Sequence, residues 1–181
     1  MSLQVNGEWT APEPLPAPIN TPGGREHCPT VHGKTLCFAS VRAGGYGASD
    51  LYCSQMEDDG RSFSAPLNLG PAINTAGDEF HYMEDKEGFI HFVSSGHAPK
   101  ANQVADIFYT RADGKGGYLK PTNPGASVNG GGGQGDAGVL DICTAMVTPD
   151  GKRMAFYSML SPPTADNPLG DMDILTVDRV Y

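Results

Sequence analysis

Short apolar runs recur along the chain, each bracketed by polar turn residues. Phe38-Ala39-Ser40, Phe92-Val93-Ser94 and Phe156-Tyr157-Ser158 each follow a turn containing glycine: His32-Gly33-Lys34, Lys86-Glu87-Gly88 and Pro149-Asp150-Gly151-Lys152. After an intervening loop, Asp50-Leu51-Tyr52, Asp106-Ile107-Phe108 and Asp173-Ile174-Leu175 start the next run, always with aspartate ahead of an aliphatic residue. The turns that follow, Asp58-Asp59-Gly60 and Asp113-Gly114, suit tight hairpins. Runs this short, punctuated this way, predict β-strands rather than helices.

The pattern is a repeat. Glu8-Trp9-Thr10-Ala11-Pro12, Ser62-Phe63-Ser64-Ala65-Pro66 and Gly117-Tyr118-Leu119-Lys120-Pro121 each place a proline three residues after an aromatic. Further on stand the pairs Ile19-Asn20, Ile73-Asn74 and Val128-Asn129, and then an acid: Glu26, Glu79 and Asp141. Four short strands in a unit of about 55 residues is the size of one β-propeller blade. A sandwich uses similar strands but does not predict the repetition. The expected fold is therefore all-β, with blades of four antiparallel strands, three to the chain. Residues 1–181 read as a single repeat domain, with units at 20–69, 74–125 and 129–181 and an outer strand supplied by 7–15.

Three blades fall short of the roughly four to eight that close a propeller. A two-fold homodimer forming one six-bladed ring is the expected solution, each Trp9 strand completing the last blade of the other copy and protecting its edge. A piece of a longer propeller, or an open arc, is the competing reading.

The run Asp58-Asp59-Gly60-Arg61-Ser62-Phe63-Ser64-Ala65-Pro66-Leu67-Asn68-Leu69-Gly70-Pro71-Ala72-Ile73-Asn74-Thr75 carries a resemblance. With Asp78-Glu79 after it and Gly44-Gly45-Tyr46-Gly47-Ala48-Ser49-Asp50-Leu51-Tyr52 before it, the chain resembles the WD40-like β-propeller repeat of the TolB type. The likeness covers nearly the whole chain, strongest in the second unit and weakest in the third. There Asn123-Pro124-Gly125 lacks the leucine, and Gly130 to Gly138 is inserted. The resemblance implies a bacterial, periplasmic or extracellular protein. It implies a protein-interaction scaffold, or the non-catalytic propeller beside a peptidase or carbohydrate-active domain, for which 181 residues leave no room. Asp58-x-Gly60-x-Ser62-Phe63 is also similar to the Asp-box turn of sialidase-like propellers. Met56 stands where that box has serine, and the arginines form no cluster for a carboxylate substrate.

Composition agrees with a turn-rich β protein: 24 glycines and 15 prolines leave no long helical window. With 21 acids against 12 bases the net charge is −9, and no basic footprint for nucleic acid is visible. No run approaches the roughly 18 apolar residues of a membrane span, so neither nucleic acid nor membrane insertion is expected. The start, Met-Ser-Leu-Gln-Val, has no basic and apolar signal regions, and the compartment stays open.

The first strand of each unit would line the channel, with Glu26, Glu79 and Asp141 at its mouth. Such carboxylates can hold Ca²⁺ or another divalent cation, or a basic loop of a partner. The plainer reading has them capping backbone amides in the turn before the strand. Cys28, His81 and Cys143 follow two residues after each acid, with His27 adjacent, a set that suits a softer metal. Cys28 and Cys37 would face each other across a hairpin turning at His32-Gly33. A disulfide is then possible, with reduced core thiols preferred. The loops between second and third strands vary most and carry Arg42, Tyr46, His97 and Asn102 as ligand-binding candidates. Trp9, Phe63 and Tyr118 are expected to pack within blades, and Asp50, Asp106 and Asp173 to fix loops through backbone N–H groups.

The expected function is a non-catalytic binding or scaffold module for a protein or carbohydrate ligand, using the loop face and the acidic channel mouth. The alternative is a metal-dependent hydrolase or lyase acting on a sugar or lactone, with Glu26, Glu79, Asp141 and His81 holding the metal and supplying the base.

Overall fold

A computed structural model describes residues 1–2, 4–99, 105–129, 146–147, 153–161 and 171–178. Its strands are β1 (Gln4–Val5), β2 (Glu8–Trp9), β3 (Glu26–His32), β4 (Thr35–Ser40), β5 (Asp50–Gln55), β6 (Leu67–Asn68), β7 (Glu79–Glu84), β8 (Phe89–Ser94), β9 (Asp106–Arg111), β10 (Met146–Val147), β11 (Arg153–Ser161) and β12 (Asp171–Asp178). A single helical turn, α1 (Ala126–Asn129), precedes the third unit. The architecture is all-β. Antiparallel sheets run β1-β2, β3-β4-β5-β6, β7-β8-β9 and β10-β11-β12, each joining strands in chain order.

The second strand of each unit is central in its sheet and alternates between two faces. Leu36 and Phe38 of β4 join Ile19 and Tyr52 in one cluster, with Leu15 and Phe63 packed on it. Cys37 and Ala39 point the other way and meet Leu51, Ile73, Tyr82, Ile90, Phe92 and Phe108. The larger cluster therefore lies between the β3–β6 and β7–β9 sheets, and β4 is buried from Leu36 to Ser40 because both of its faces are covered.

The hairpin register corrects one expectation. Gly33, at φ 60°, forms a two-residue turn with Lys34, so His32 pairs with Thr35 and Cys37 faces Thr30, not Cys28. On its other side Cys37 faces Cys53 of β5, and these two form a disulfide with Cα atoms 4.1 Å apart. Cys28 remains a thiol. The fourth strands are also shorter than expected. In the first unit only Leu67–Asn68 pairs as a strand, and in the second only isolated bridges at Tyr118 and Thr122 remain. Pro66 and Pro121 have no N–H for the ladder, which confines such segments to short edge pairings.

Phe63 and Tyr118 pack against the two core clusters as expected. Trp9 does not. It pairs with Gln4 in the β1–β2 hairpin and is 71% exposed.

The repeated asparagine latches one unit to the next. Asn74, buried in the turn before β7, accepts a hydrogen bond from Leu51 N and donates to Leu51 O and Asn68 Oδ1. Asn129 does the same one unit later, with Ile107 N, Ile107 O and Asn123 Oδ1. Asn20, at the same place in the first unit, is exposed and donates to Leu15 O. Close backbone approach completes the junction: a Cβ on Gly47 would lie 2.2 Å from Thr75 O.

Candidate functional site

β3 and β7 hold the same place in their units, and each breaks register with its neighbour. The breaks fall between His27 and Thr30 against β4, and between Phe80 and Met83 against β8. Inside each break one non-glycine residue adopts left-handed backbone, Cys28 at φ 50° and His81 at φ 57°. Such a conformation is uncommon outside glycine, and a bulge of this kind re-aims a side chain. Here it aims two of them at each other.

Cys28 Sγ lies 3.5 Å from His81 Nε2. On the other side His27 Nδ1 lies 3.3 Å from the same sulfur, while His27 Nε2 lies 3.1 Å from Ser49 Oγ. The His81 ring stands edge-on to Phe80, with centroids 5.2 Å apart. These side chains, with Arg25, Val41 and Asp78, line an open pocket of about 300 Å³ at the seam between the two sheets. Burial, and next the Arg25 charge, hold the His27 pKa below its ordinary value, with Asp78 and Glu26 pulling weakly the other way. His27 is accordingly neutral near pH 7 and has a lone pair to offer.

The two described acids of the repeat column face their own turns. Glu79 is fully buried and accepts hydrogen bonds from Thr75 N, Thr75 Oγ1 and Ser94 Oγ at 2.6–2.7 Å. Glu26 Oε1 accepts from Thr21 Oγ1 at 2.8 Å and Ser40 Oγ at 3.1 Å, with Arg42 Nη2 at 3.4 Å. Burial works against the Glu26 charge, but the Thr21 and Ser40 hydrogen bonds and Arg42 outweigh it and lower the pKa. Asp141 lies outside the described residues, as does Cys143. Among the described residues no three His, Cys, Asp or Glu side chains are grouped to hold a metal ion.

Two of the loop candidates serve as buttresses. Arg42 Nη2 donates to Ile19 O at 2.6 Å, and its guanidinium lies 4.9 Å from the ring centroids of both Phe38 and Tyr52. His97 repeats the arrangement one unit later. Its Nε2 lies 2.8 Å from Ile73 O, and its ring packs on Phe92 and Phe108. Tyr46 is about half exposed, and its backbone N–H donates to Asp50. Asn102 lies outside the described residues.

The repeat alignment, which sets Cys28 over His81, puts both in the first strands, and the bulges bring them into contact. Arg25, Ser49 and Asp78 carried no separate signal. Arg25 directly precedes β3, and Ser49 and Asp78 belong to the turns on which Glu79 N donates to Ser49 O and Ser49 pairs with Asp78. No helix among the described residues is long and apolar enough to cross a membrane. No protein-family model matches the chain, and no curated protein matches it.

Proposed function

We infer that the chain is a non-catalytic binding module of the β-propeller type, with WD40-like repeats of the TolB kind, that takes a protein or carbohydrate ligand. One observation carries the reading: the open pocket between the first strands of neighbouring units. It presents Arg25, Asp78 and two imidazoles beside the apolar Phe80 and Val41. A few converging polar groups on an apolar floor suit a polar ligand with carbon faces. The metal-dependent hydrolase alternative has weaker support, because Glu26 and Glu79 spend their oxygens on their own turns.

The same reading closes the ring with a second copy. Among the described residues Asn20 latches no earlier strand, and β12 is an edge. The Trp9 hairpin is exposed and fits such an edge. The Cys37–Cys53 disulfide supports an oxidising compartment, periplasmic or extracellular.

The test is a thermal-shift and calorimetric screen of oligosaccharides and peptides, with light scattering on the same sample. Binding that Arg25→Ala or His81→Ala weakens at least about tenfold supports the module, since losing such a contact costs at least about 1.4 kcal/mol. Turnover of a glycoside or lactone that a chelator abolishes overturns it. A stable monomer overturns ring closure by two copies.

A further inference from the structure

Cys28 sits between two imidazoles that come from different units, and one of these is itself oriented. In the neutral His27 tautomer that donates Nε2–H to Ser49 Oγ, the Nδ1 lone pair faces the Cys28 sulfur. That is the order nucleophile, base and orienting group found where thiols are activated. His81 Nε2 approaches from β7 of the neighbouring sheet and is placed to donate to the sulfur once it carries charge. The left-handed backbone at both Cys28 and His81 shows that the fold holds these side chains together against local preference. The thiol is partly accessible, on a pocket open to solvent.

We propose that Cys28 is a nucleophilic thiol site that exchanges with small-molecule disulfides, with His27 as the proton acceptor and His81 as the donor that stabilises the thiolate. The Cys28 S–H bond breaks and its proton passes to His27 Nδ1. The thiolate attacks one sulfur of the disulfide R–S–S–R, a new Cys28–S–S–R bond forms, and RS⁻ departs with the electron pair of the broken bond. No net oxidant is needed beyond the disulfide itself. Among the described residues, the charged and titratable groups around the sulfur include His27, Arg25 and Glu26 from the β3 side, and Asp78 and His81 from the β7 side. The neutrality of His27 near pH 7 fits an acceptor role. The inference concerns the thiol alone and does not require the propeller reading or a non-covalent ligand.

The probe is 5,5′-dithiobis(2-nitrobenzoate), followed by absorbance between pH 5 and 10 on the full chain, with peptide mapping to separate Cys28 from Cys143. The expected result is a rate midpoint for Cys28 below the ordinary thiol value of about 8.5, and at pH 6.5 a rate roughly tenfold above that of an unstructured cysteine peptide. His81→Gln and His27→Gln each slow that rate about fivefold and raise the midpoint. Cys28→Ser removes the mapped product while leaving the far-ultraviolet spectrum unchanged. A wild-type midpoint at or above that of the peptide overturns the proposal without recourse to any variant. So does a lowered midpoint that neither histidine substitution moves. A lowered midpoint in a protein that binds no oligosaccharide or peptide leaves the thiol site standing and removes the binding module.

Discussion

Asn74 satisfies both backbone polar groups of Leu51, accepting from its N–H at 2.8 Å and donating to its carbonyl at 3.0 Å. Leu51 is fully buried and Asn74 is 1% exposed, so water cannot substitute. Asn74→Ala strands a buried donor and a buried acceptor on β5, at a cost of about 3 kcal/mol. Asn20→Ala, at the equivalent but exposed position, costs under about 0.5 kcal/mol within one chain. Urea unfolding of the two variants beside the parent measures both. Equal effects would show that the asparagine matters for its own turn and not for the neighbouring sheet.

The Cys37–Cys53 disulfide closes a loop with a sequence separation of 16. A loop of that length stabilises by about 3 kcal/mol through restriction of the unfolded chain. The Cys37→Ala/Cys53→Ala pair is expected to unfold at lower urea by a comparable amount, and a reductant should lower the parent but not the pair. Parent and pair with the same midpoint would contradict the bond.

Glu26 governs part of the acid limit. Burial opposes its charge, yet the hydrogen bonds from Thr21 and Ser40, with Arg42, lower its pKa below the ordinary 4.5. A carboxylate lowered by folding stabilises the protein above its unfolded pKa. That contribution is lost as pH falls from about 4.5 through the folded value. Asp85 acts in the same direction: burial raises its pKa, but the Phe89 and Glu87 amides and His91 lower it further. Thermal unfolding temperature should fall steeply below pH 4.5. Glu26→Gln should lower it near pH 6 and flatten the slope below pH 4.5. An unchanged slope in that variant would assign acid sensitivity elsewhere.

Strand positions were legible because each unit repeats one pattern. Phe38 and Phe92, or Leu51 and Ile107, hold equivalent places in the repeat, and the structure puts each pair in matching strands. Register was not legible at the same resolution. Whether the two-residue turn falls at His32-Gly33 or at Gly33-Lys34 decides which residue faces Cys37, and moving it by one residue shifts the whole pairing. The missed Cys37–Cys53 bond follows from reading the first hairpin and not the second. Arg42 and His97 share a task although their side chains differ, since a guanidinium and an imidazole can both reach a backbone carbonyl and lie against aromatic rings. Chemical variety in a loop therefore suggested ligands where the molecule uses both side chains as props. The seam at Cys28 needed coordinates, because a left-handed residue at a bulge leaves no mark in the order of residues.

The backward reach of Asn74 and Asn129 also sets an order of events. Each latches a residue 22 or 23 positions earlier, a strand that has already left the ribosome. A sheet stays unfastened until the first turn of its successor emerges, and fastening then needs only that short segment. In a chain folding from its amino end, Asn74 and then Asn129 would act as the teeth of a ratchet, each holding the sheet made just before it.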